Sequence, residues 1–551
     1  MRKWLVAGAC VLAVAAAVVA VAAATGGSSV ERVSDAPDTI VHNGRITTMD
    51  DRGSTVEALA IRDGVIVAAG GDDAVRDLAD DATRLIDLGG RRVLPGLIDA
   101  HLSAVSAPCF TRSPRFDAVF SRADALRDVA DRAARTPAGK WLFGPAAGWT
   151  VEQLDVPGML TRAELDAIAP SHPVYLQGTG FEGGQLNALG LRTLKLRAGD
   201  PGVAVDSGGR PTGQVTGAAD LAAQRAVAAE LARLTPDERE ACTRDLVREL
   251  NRRGLTAWDD PAARGLDAVN RLHRAGELGA RVRVNFGCDA GGLACVRGLT
   301  ATQIGETGDD WLRIGGIGEH VLDTGARGVY PAAEYRRILR LLAAGEWSFQ
   351  QPAPAATTQH GMVDAWEQVN ARTPITGLRW RMLGPGGGPT EPNPDALARL
   401  RDLNAGVVPT DGSIAATPES PPYKRIFESG TRACLGSGGS YAPFAHLGYA
   451  ISGETRVPVR GGVPADQRLD REQALALATR RCDWFMSLDG RIGSLAVGRL
   501  ADLIVLSDDY FSVEPREIRG LTSVLTMVGG RVVYGEGAFS ELERTASTIA
   551  R

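Results

Sequence analysis

The chain has 551 residues, of which 44% are hydrophobic and 23% are charged, and its formal net charge is −5. This length predicts more than one structural unit, or one large unit with additions, and it provides ample apolar material for a core. Positive and negative charges are interspersed without a basic run, so nucleic acid is not an expected partner.

The N-terminus has the pattern of an export signal. Two basic residues precede an uncharged run, Trp4–Ala24, and a polar stretch rich in glycine and serine follows. We assign residues 1–24 to a signal peptide or N-terminal membrane anchor, and residues 25–37 to a flexible linker. The run is about long enough to span a bilayer, so retention as an anchor stays open beside cleavage. Both outcomes predict export across the cytoplasmic membrane, with membrane contact only through this segment.

Six cysteines lie beyond the export signal and are spread along the chain. None of them forms a Cys-x-x-Cys pair, which excludes a zinc ribbon or a thioredoxin-like motif. Export permits disulfides, but the sequence does not fix their connectivity. The six are Cys109, Cys242, Cys288, Cys295, Cys434 and Cys482.

Short strands joined by Asn-Gly, Asp-Gly and Gly-Gly turns are predicted near both ends of the chain. Because they stand far apart in sequence, we expect both ends to close one small β-sandwich, built from residues 38–95 and 490–540. The segments that carry these strands are Asp38–Ile46, Ala58–Gly70, Gly498–Leu506 and Val524–Tyr534.

Between these ends, helical and short apolar segments alternate. This alternation predicts an α/β fold with a parallel sheet, and its length favours a (β/α)8 barrel of the TIM type over residues 96–489. The predicted helices are Ala218–Leu234, Pro236–Arg253, Leu266–Leu278, Ala332–Ala344, Met362–Ala371 and Asp395–Leu403. The predicted strands are Gly254–Trp258, Ala280–Phe286, Trp347–Phe349, Leu378–Leu383 and Gly406–Pro409.

Several stretches, in order along the chain, resemble the amidohydrolase superfamily, and in particular its branch around N-substituted formamide deformylase. The resemblance implies a barrel with an insert, here around residues 105–215, and hydrolysis of non-peptide carbon–nitrogen bonds in small amide-like substrates. The stretches are Asn43–Ile46, Ala58–Gly64, Val93–His101, Gly148–Trp149, Leu165–Val174, Gly254–Thr256, Gly377–Trp380 and Gly493–Leu506.

The resemblance also implies one or two metals at the mouth of the barrel. The ligands would be a His-x-His pair, two further histidines, an aspartate and often a carboxylated lysine or a glutamate. Such a metal activates a bound water, and the aspartate moves its proton. His101 occupies the first position, but Ser103 occupies the second. The remaining histidine and aspartate positions carry Gln350, Gly384 and Gly438.

These substitutions predict that metal-dependent activity is lost and that no cofactor is needed, with zinc or another divalent metal expected only if the family mechanism survives. No lysine lies on a predicted central strand, so a carbamate bridge is not expected either. The four lysines are Lys3, Lys140, Lys195 and Lys424.

Beside a merely structural or regulatory relic, two alternatives stay open for the function. One is an exported pseudoenzyme that binds a small amide-like molecule or a protein. The other is a hydrolase with a rearranged site, in which His101, Glu182, Glu319 and His320 act together. Two further carboxylates at a predicted strand end are available to such a site, those of Asp259 and Asp260.

Overall fold

The fold is described from a computed structural model. The chain divides into two units, Met1–Ala36 and Pro37–Arg551, and every element below lies in the second unit. The described residues are 36–105, 109, 112–113, 116, 119–144, 151–177, 183–261, 266–288, 291–303, 305–319, 321–322, 332–353, 356–384, 394–410, 420–438, 440–455 and 462–543.

Some predictions therefore fall outside the described residues. They are the export segment 1–24, nearly all of the linker, the pair Gly148–Trp149, and the candidate residues Glu182 and His320. Within the described ranges, no helix is both long enough and apolar enough to cross a membrane.

The strands are numbered in chain order. They are β1 (Thr39–His42), β2 (Arg45–Thr47), β3 (Thr55–Val56), β4 (Ala58–Arg62), β5 (Val65–Gly70), β6 (Arg84–Asp87), β7 (Arg92–Pro95), β8 (Leu97–Asp99), β9 (Leu142–Phe143), β10 (Val174–Leu176), β11 (Gly184–Leu186), β12 (Val203–Val205), β13 (Pro211–Val215), β14 (Leu255–Asp260), β15 (Arg281–Phe286), β16 (Thr307–Gly308), β17 (Leu312–Ile317), β18 (Gln350–Pro352), β19 (Arg381–Leu383), β20 (Gly406–Val408), β21 (Arg432–Ala433), β22 (Leu503–Leu506), β23 (Ser523–Val528) and β24 (Arg531–Gly535).

The helices are numbered in the same way. They are α1 (Asp72–Arg76), α2 (Arg122–Arg135), α3 (Arg162–Ile168), α4 (Ala188–Thr193), α5 (Gly217–Ala232), α6 (Pro236–Arg252), α7 (Leu266–Arg274), α8 (Gly292–Thr302), α9 (Ala332–Ala344), α10 (Ala356–Asn370), α11 (Pro394–Asp402), α12 (Tyr423–Glu428), α13 (Pro443–Ser452) and α14 (Arg471–Ala476).

Two sheets join the ends of the second unit. One has the strand order β24-β23-β22-β7-β2-β3, and the other has the order β5-β4-β1-β6. In the first sheet, β22 from the C-terminal part pairs directly with β7 from the N-terminal part. Apolar side chains from both sheets form one buried cluster, which includes Val41, Leu59, Val93, Val505 and Met527. Burying these faces together removes apolar surface from water and holds both ends of the unit in one body.

Eight parallel strands follow one another in a closed ring. Ladders join β8, β14, β15 and β17, and a second set joins β18, β19, β20 and β21. Ile317 bridges to Phe349 between β17 and β18, and Leu102 bridges to Gly438 between the ends of β8 and β21. The pairing thus returns to its first strand, and we call this set of strands the strand ring.

Helices connect most of the ring strands, which confirms the predicted α/β class. Before β14, a separate five-stranded sheet with the order β12-β13-β11-β10-β9 lies in the predicted insert region. The start of α6 shows how local sequence sets an element boundary. Thr235 accepts a hydrogen bond from the Glu238 amide, the Glu238 side chain returns to the Thr235 amide, and Pro236 opens the helix.

Two strand predictions were wrong in position. The apolar run Trp347–Phe349 was expected to be a strand, but β18 begins one residue later, at Gln350. The stretch Gly498–Leu506 was expected to be a single strand, but only its last four residues form β22. In both places, hydrogen bonds to neighbouring strands decide the boundary, and those partners are not visible in the hydrophobic pattern.

Candidate functional site

The mouth of the strand ring, where its strands end, brings the segment after β8 against the segment after β21. The His101 carbonyl accepts a hydrogen bond from the Gly438 amide at 2.7 Å, and the Ser103 amide donates to the Gly438 carbonyl at 3.0 Å. A Cβ on Gly436 would lie 2.7 Å from the His101 Cβ, so these two backbones pack closely. Ser103 and Gly438, the two positions at which the family pattern expects a histidine and an aspartate, are therefore neighbours.

Asp99 holds this junction together. Its carboxylate accepts hydrogen bonds from the His101 amide at 2.9 Å, from the Ser437 amide at 3.1 Å, and from the Ser437 hydroxyl. The Asp99 residue is only 4% exposed. The aspartate of the Ile98–His101 motif therefore sets the direction of the backbone that carries His101.

The side chains of His101 and Glu319 lie close together at the mouth, as the predicted rearranged site requires. The His101 Nε2 atom lies 3.6 Å from the Glu319 Oε2 atom, and the side chains are 9% and 18% exposed. Gly318 makes this approach possible, because a Cβ there would overlap the Pro261 carbonyl oxygen. Glu182 and His320 are outside the described residues, so their place in this pair stays a prediction.

The two aspartates at the end of β14 are committed to other contacts. Asp260 accepts hydrogen bonds from the Ala104 and Val105 amides at 2.8 and 2.6 Å, and so anchors the backbone after His101. Asp259 points into the strand ring, where it pairs with Arg283 and Arg381.

Inside the strand ring lies a charged network that was not predicted from the sequence. Arg283 on β15 donates to Asp259 at 3.1 Å, and Arg381 reaches the same carboxylate from β19 on the opposite side of the ring. Asn285 donates to the other oxygen of Asp259. The side chains of Asp259, Arg283 and Arg381 are at most 1% exposed. Two buried guanidiniums thus share one carboxylate.

The pKa values of these arginines reflect their burial. Burial opposes the charge of Arg283, but the nearby carboxylates of Asp259 and Glu306 outweigh it and raise its pKa. For Arg381, burial dominates and lowers the pKa to about 10, despite the attraction of Asp259 and with repulsion from Arg283. Both groups remain charged at neutral pH.

The comparisons with known proteins agree with this fold. The chain belongs to the amidohydrolase family, whose sequence model matches residues 84–534. N-substituted formamide deformylase of Arthrobacter pascens is 24% identical over 90% of this chain and 98% of that protein. YtcJ of Bacillus subtilis (strain 168) is 30% identical over 32% of this chain, and the alignment spans only 34% of YtcJ.

A solved structure gives the same result at the level of the fold. Atrazine chlorohydrolase TrzN from Arthrobacter aurescens TC1, complexed with zinc, superposes with a TM-score of 0.51 at 15% identity. The match covers 93% of this chain and 100% of TrzN. At this level of identity the likeness establishes the fold alone.

TrzN was solved with bound zinc, so the residues at the mouth of the strand ring are compared with the needs of a metal ion. Among the described residues, no group of three or more histidine, cysteine, aspartate or glutamate side chains is arranged to hold one. His101 and Glu319 supply two donors, whereas a zinc site needs at least three protein ligands. Lys140, Lys195 and Lys424 all lie outside the ring strands. The described part of the site therefore does not fit a metal.

Proposed function

We propose that this amidohydrolase-family protein binds a small amide-like ligand at the mouth of the strand ring and has no metal-dependent hydrolase activity. The strand ring is best interpreted as a (β/α)8 barrel of the TIM type, with the two end sheets packed as a β-sandwich. The ring closure between Leu102 and Gly438 supports the barrel, and the cluster shared by both end sheets supports the sandwich.

One observation carries the proposal. The four positions that would complete a family metal site hold Ser103, Gln350, Gly384 and Gly438, none of which offers an imidazole, carboxylate or thiolate. Where the structure is described, this loss is not compensated, because only His101 and Glu319 come together. Small-molecule sites commonly combine an apolar scaffold with a few placed polar groups, and His101 and Glu319 supply two such groups at this mouth.

We propose that the protein acts after export. Three cysteine pairs support this part of the proposal, Cys109–Cys242, Cys288–Cys295 and Cys434–Cys482, because such bonds persist in oxidising compartments. They include all six cysteines beyond the predicted export segment.

A second candidate function follows from the His101–Glu319 contact. A carboxylate beside an imidazole orients the ring and stabilises its charged form, which is how a histidine serves as a general base. With Glu182 and His320, this pair would form a metal-independent hydrolytic site. Ser103 lies two residues after His101, and its carbonyl accepts a hydrogen bond from the Tyr441 hydroxyl at 2.9 Å.

One experiment separates these functions. The exported protein is titrated with N-substituted formamides and small primary amides by calorimetry, and release of amine is followed with and without a chelator. We expect binding that weakens in His101→Ala, with no turnover. Turnover that the chelator abolishes would overturn the proposal. Turnover that resists the chelator but is lost in Glu319→Gln would establish the second candidate instead.

A further inference from the structure

The interior of the strand ring contains polar atoms that the protein itself leaves without partners. In the described structure, the Nε and Nη2 atoms of Arg381 and both polar side-chain atoms of Gln350 are buried and make no hydrogen bond. Gln350 is 1% exposed and Arg381 is 0% exposed. Leaving such atoms without a partner is unfavourable, because they lose their hydrogen bonds to water on burial. Unpaired buried groups in native proteins commonly mark a bound water or ion.

These four atoms belong to neighbouring side chains. Gln350 on β18 and Arg381 on β19 are register partners in a parallel ladder, so both side chains leave the same face of the sheet. That face is the ring interior, because Arg381 pairs with Asp259 on the far side of the ring. Gln350 therefore points into the same space as the free edge of the Arg381 guanidinium.

Aromatic residues close this space on one side. A Cβ on Gly406, the next register partner along the ring, would lie 2.8 Å from the rings of Trp484 and Phe485. The Phe485 ring lies 5.6 Å from the guanidinium carbon of Arg381, and the Phe485 carbonyl accepts from Arg381 Nη1 at 3.2 Å. Nη1 is thus fully engaged, and the edge formed by Nε and Nη2 is the part of Arg381 that remains available.

The charges of this interior favour an anion. Arg283 and Arg381 share Asp259, whose two oxygens are already engaged by these arginines and by Asn285. Glu306 binds Arg283 at the margin, but it also lies 3.7 Å from Arg313. Arg381 therefore shares Asp259 with Arg283 and Asn285, and its Nε/Nη2 edge donates to no carboxylate in the described structure.

We propose that the interior of the strand ring binds a small planar oxyanion of the carboxylate class, held between the Nε/Nη2 edge of Arg381 and the Gln350 amide. The guanidinium edge presents two parallel N–H donors, which match the two oxygens of such an anion. The Gln350 amide nitrogen donates to it as well. A hydroxyl-bearing member, such as hydrogencarbonate, also donates to Gln350 Oε1 and satisfies all four atoms. A spherical ion or a water molecule cannot match this pattern.

The test uses the intact protein, dialysed free of carboxylates, in sodium chloride, sodium formate or sodium hydrogencarbonate at equal ionic strength and pH. A ligand that binds only the folded state raises the unfolding temperature as its concentration increases. We expect the midpoint temperature of thermal unfolding to be higher in formate and in hydrogencarbonate than in chloride. An equal midpoint in all three salts would overturn the proposal.

The variant Gln350→Glu provides the decisive comparison. The new carboxylate takes the place of the bound anion. We therefore expect this variant to fold and, in chloride, to unfold at a higher temperature than the wild type. Formate should no longer raise its unfolding temperature. Gln303→Glu, which makes the same change at an exposed position after α8, is the matched control and should respond like the wild type. A Gln350→Glu protein that does not fold, or that still responds to formate, would contradict the proposal.

Discussion

At the scale of single residues, two carboxylates anchor the backbone of the mouth. Asp99 and Asp260 accept hydrogen bonds from backbone amides on either side of His101. The sequence motif predicted the position of His101 and the loss at Ser103, but it did not distinguish these structural aspartates from ligands. That distinction depends on which amides approach them, and those amides come from distant parts of the chain.

A short chain of contacts connects helix α6 with this mouth. Glu249 binds Arg252 and Arg253 at 2.7 and 2.8 Å, Arg253 donates to the Tyr441 carbonyl, and the Tyr441 hydroxyl donates to the Ser103 carbonyl. Burial alone would raise the pKa of Glu249, but the two guanidiniums outweigh it and lower the pKa to about 2. Its charged form therefore stabilises the folded protein.

We predict that Glu249→Gln lowers the free energy of unfolding by about 3 kcal/mol at neutral pH. Because the folded-state pKa is lowered, this stability is present above the unfolded value and is lost as the pH falls towards 2. Urea unfolding at about pH 7 and about pH 3.5 should show the difference shrinking. Asp237→Asn is the matched control, since that side chain is 90% exposed on the same helix. A difference that does not change with pH would contradict this role.

At the scale of elements, helices such as α9 were predictable, whereas the ring strands and the end strands were predictable only in part. Helix α9 has the predicted limits, Ala332–Ala344, because its apolar residues recur with helical spacing. Strand β18 was misplaced because it carries Gln350 and Gln351, which face no solvent. Arg283 and Arg381 in the ring strands gave no signal either. Charged residues inside a ring are stable only with partners on other strands, and one sequence does not reveal those partners.

The contact between the ring and the end sheets depends on one buried ion pair. Arg281 on β15 donates two hydrogen bonds to Asp502, just before β22, at 2.7 and 2.8 Å. Asp502 also accepts from the Gly529 amide at 2.8 Å, and the two side chains are 2% and 3% exposed. The aspartate of the closing family signature thus joins the sheet that contains β22 and β23 to the ring.

We predict that Asp502→Asn destabilises the protein by about 3–5 kcal/mol, because it leaves the buried Arg281 charge without a partner. The double variant Arg281→Met/Asp502→Asn should recover part of this loss, since it removes that charge. Chemical unfolding of both variants measures the difference. If the double variant is less stable than the single one, the unpaired charge is not the cause.

At the scale of the whole molecule, two of the three cysteine pairs connect distant segments. Cys434 follows β21 and pairs with Cys482, while Cys109 joins the region after β8 to Cys242 on α6. The number of cysteines can be read directly from the sequence, but their pairing required the fold. Cross-links of this kind stabilise a protein mainly by restricting its unfolded chain.

We predict that the exported protein carries all three bonds and that Cys434→Ser/Cys482→Ser lowers its free energy of unfolding by about 2–4 kcal/mol. Peptide mapping without reduction identifies the pairs, and unfolding with and without reductant measures their contribution. Free thiols at these six positions in freshly purified exported protein would contradict both the pairing and the proposed compartment.

The proposed loss of metal chemistry can be checked with a variant that restores two family ligands. Ser103→His combined with Gly438→Asp places an imidazole and a carboxylate beside His101. Gly438 has room for the change, because a Cβ there meets no atom within 4 Å, and its φ of 67° is one that aspartate tolerates. We expect this variant to bind zinc more tightly than the wild type in a competition assay with a chromogenic chelator.

Metal content tests the central claim most directly. The wild-type protein is produced by export in medium supplied with zinc, manganese and iron, purified without chelators, and analysed by mass spectrometry of its metals. We predict well below one equivalent of any transition metal per chain, with no change in His101→Ala. One equivalent of metal in the wild type that is lost in His101→Ala would contradict the proposed absence of a metal site. It would indicate a metal-dependent hydrolase instead.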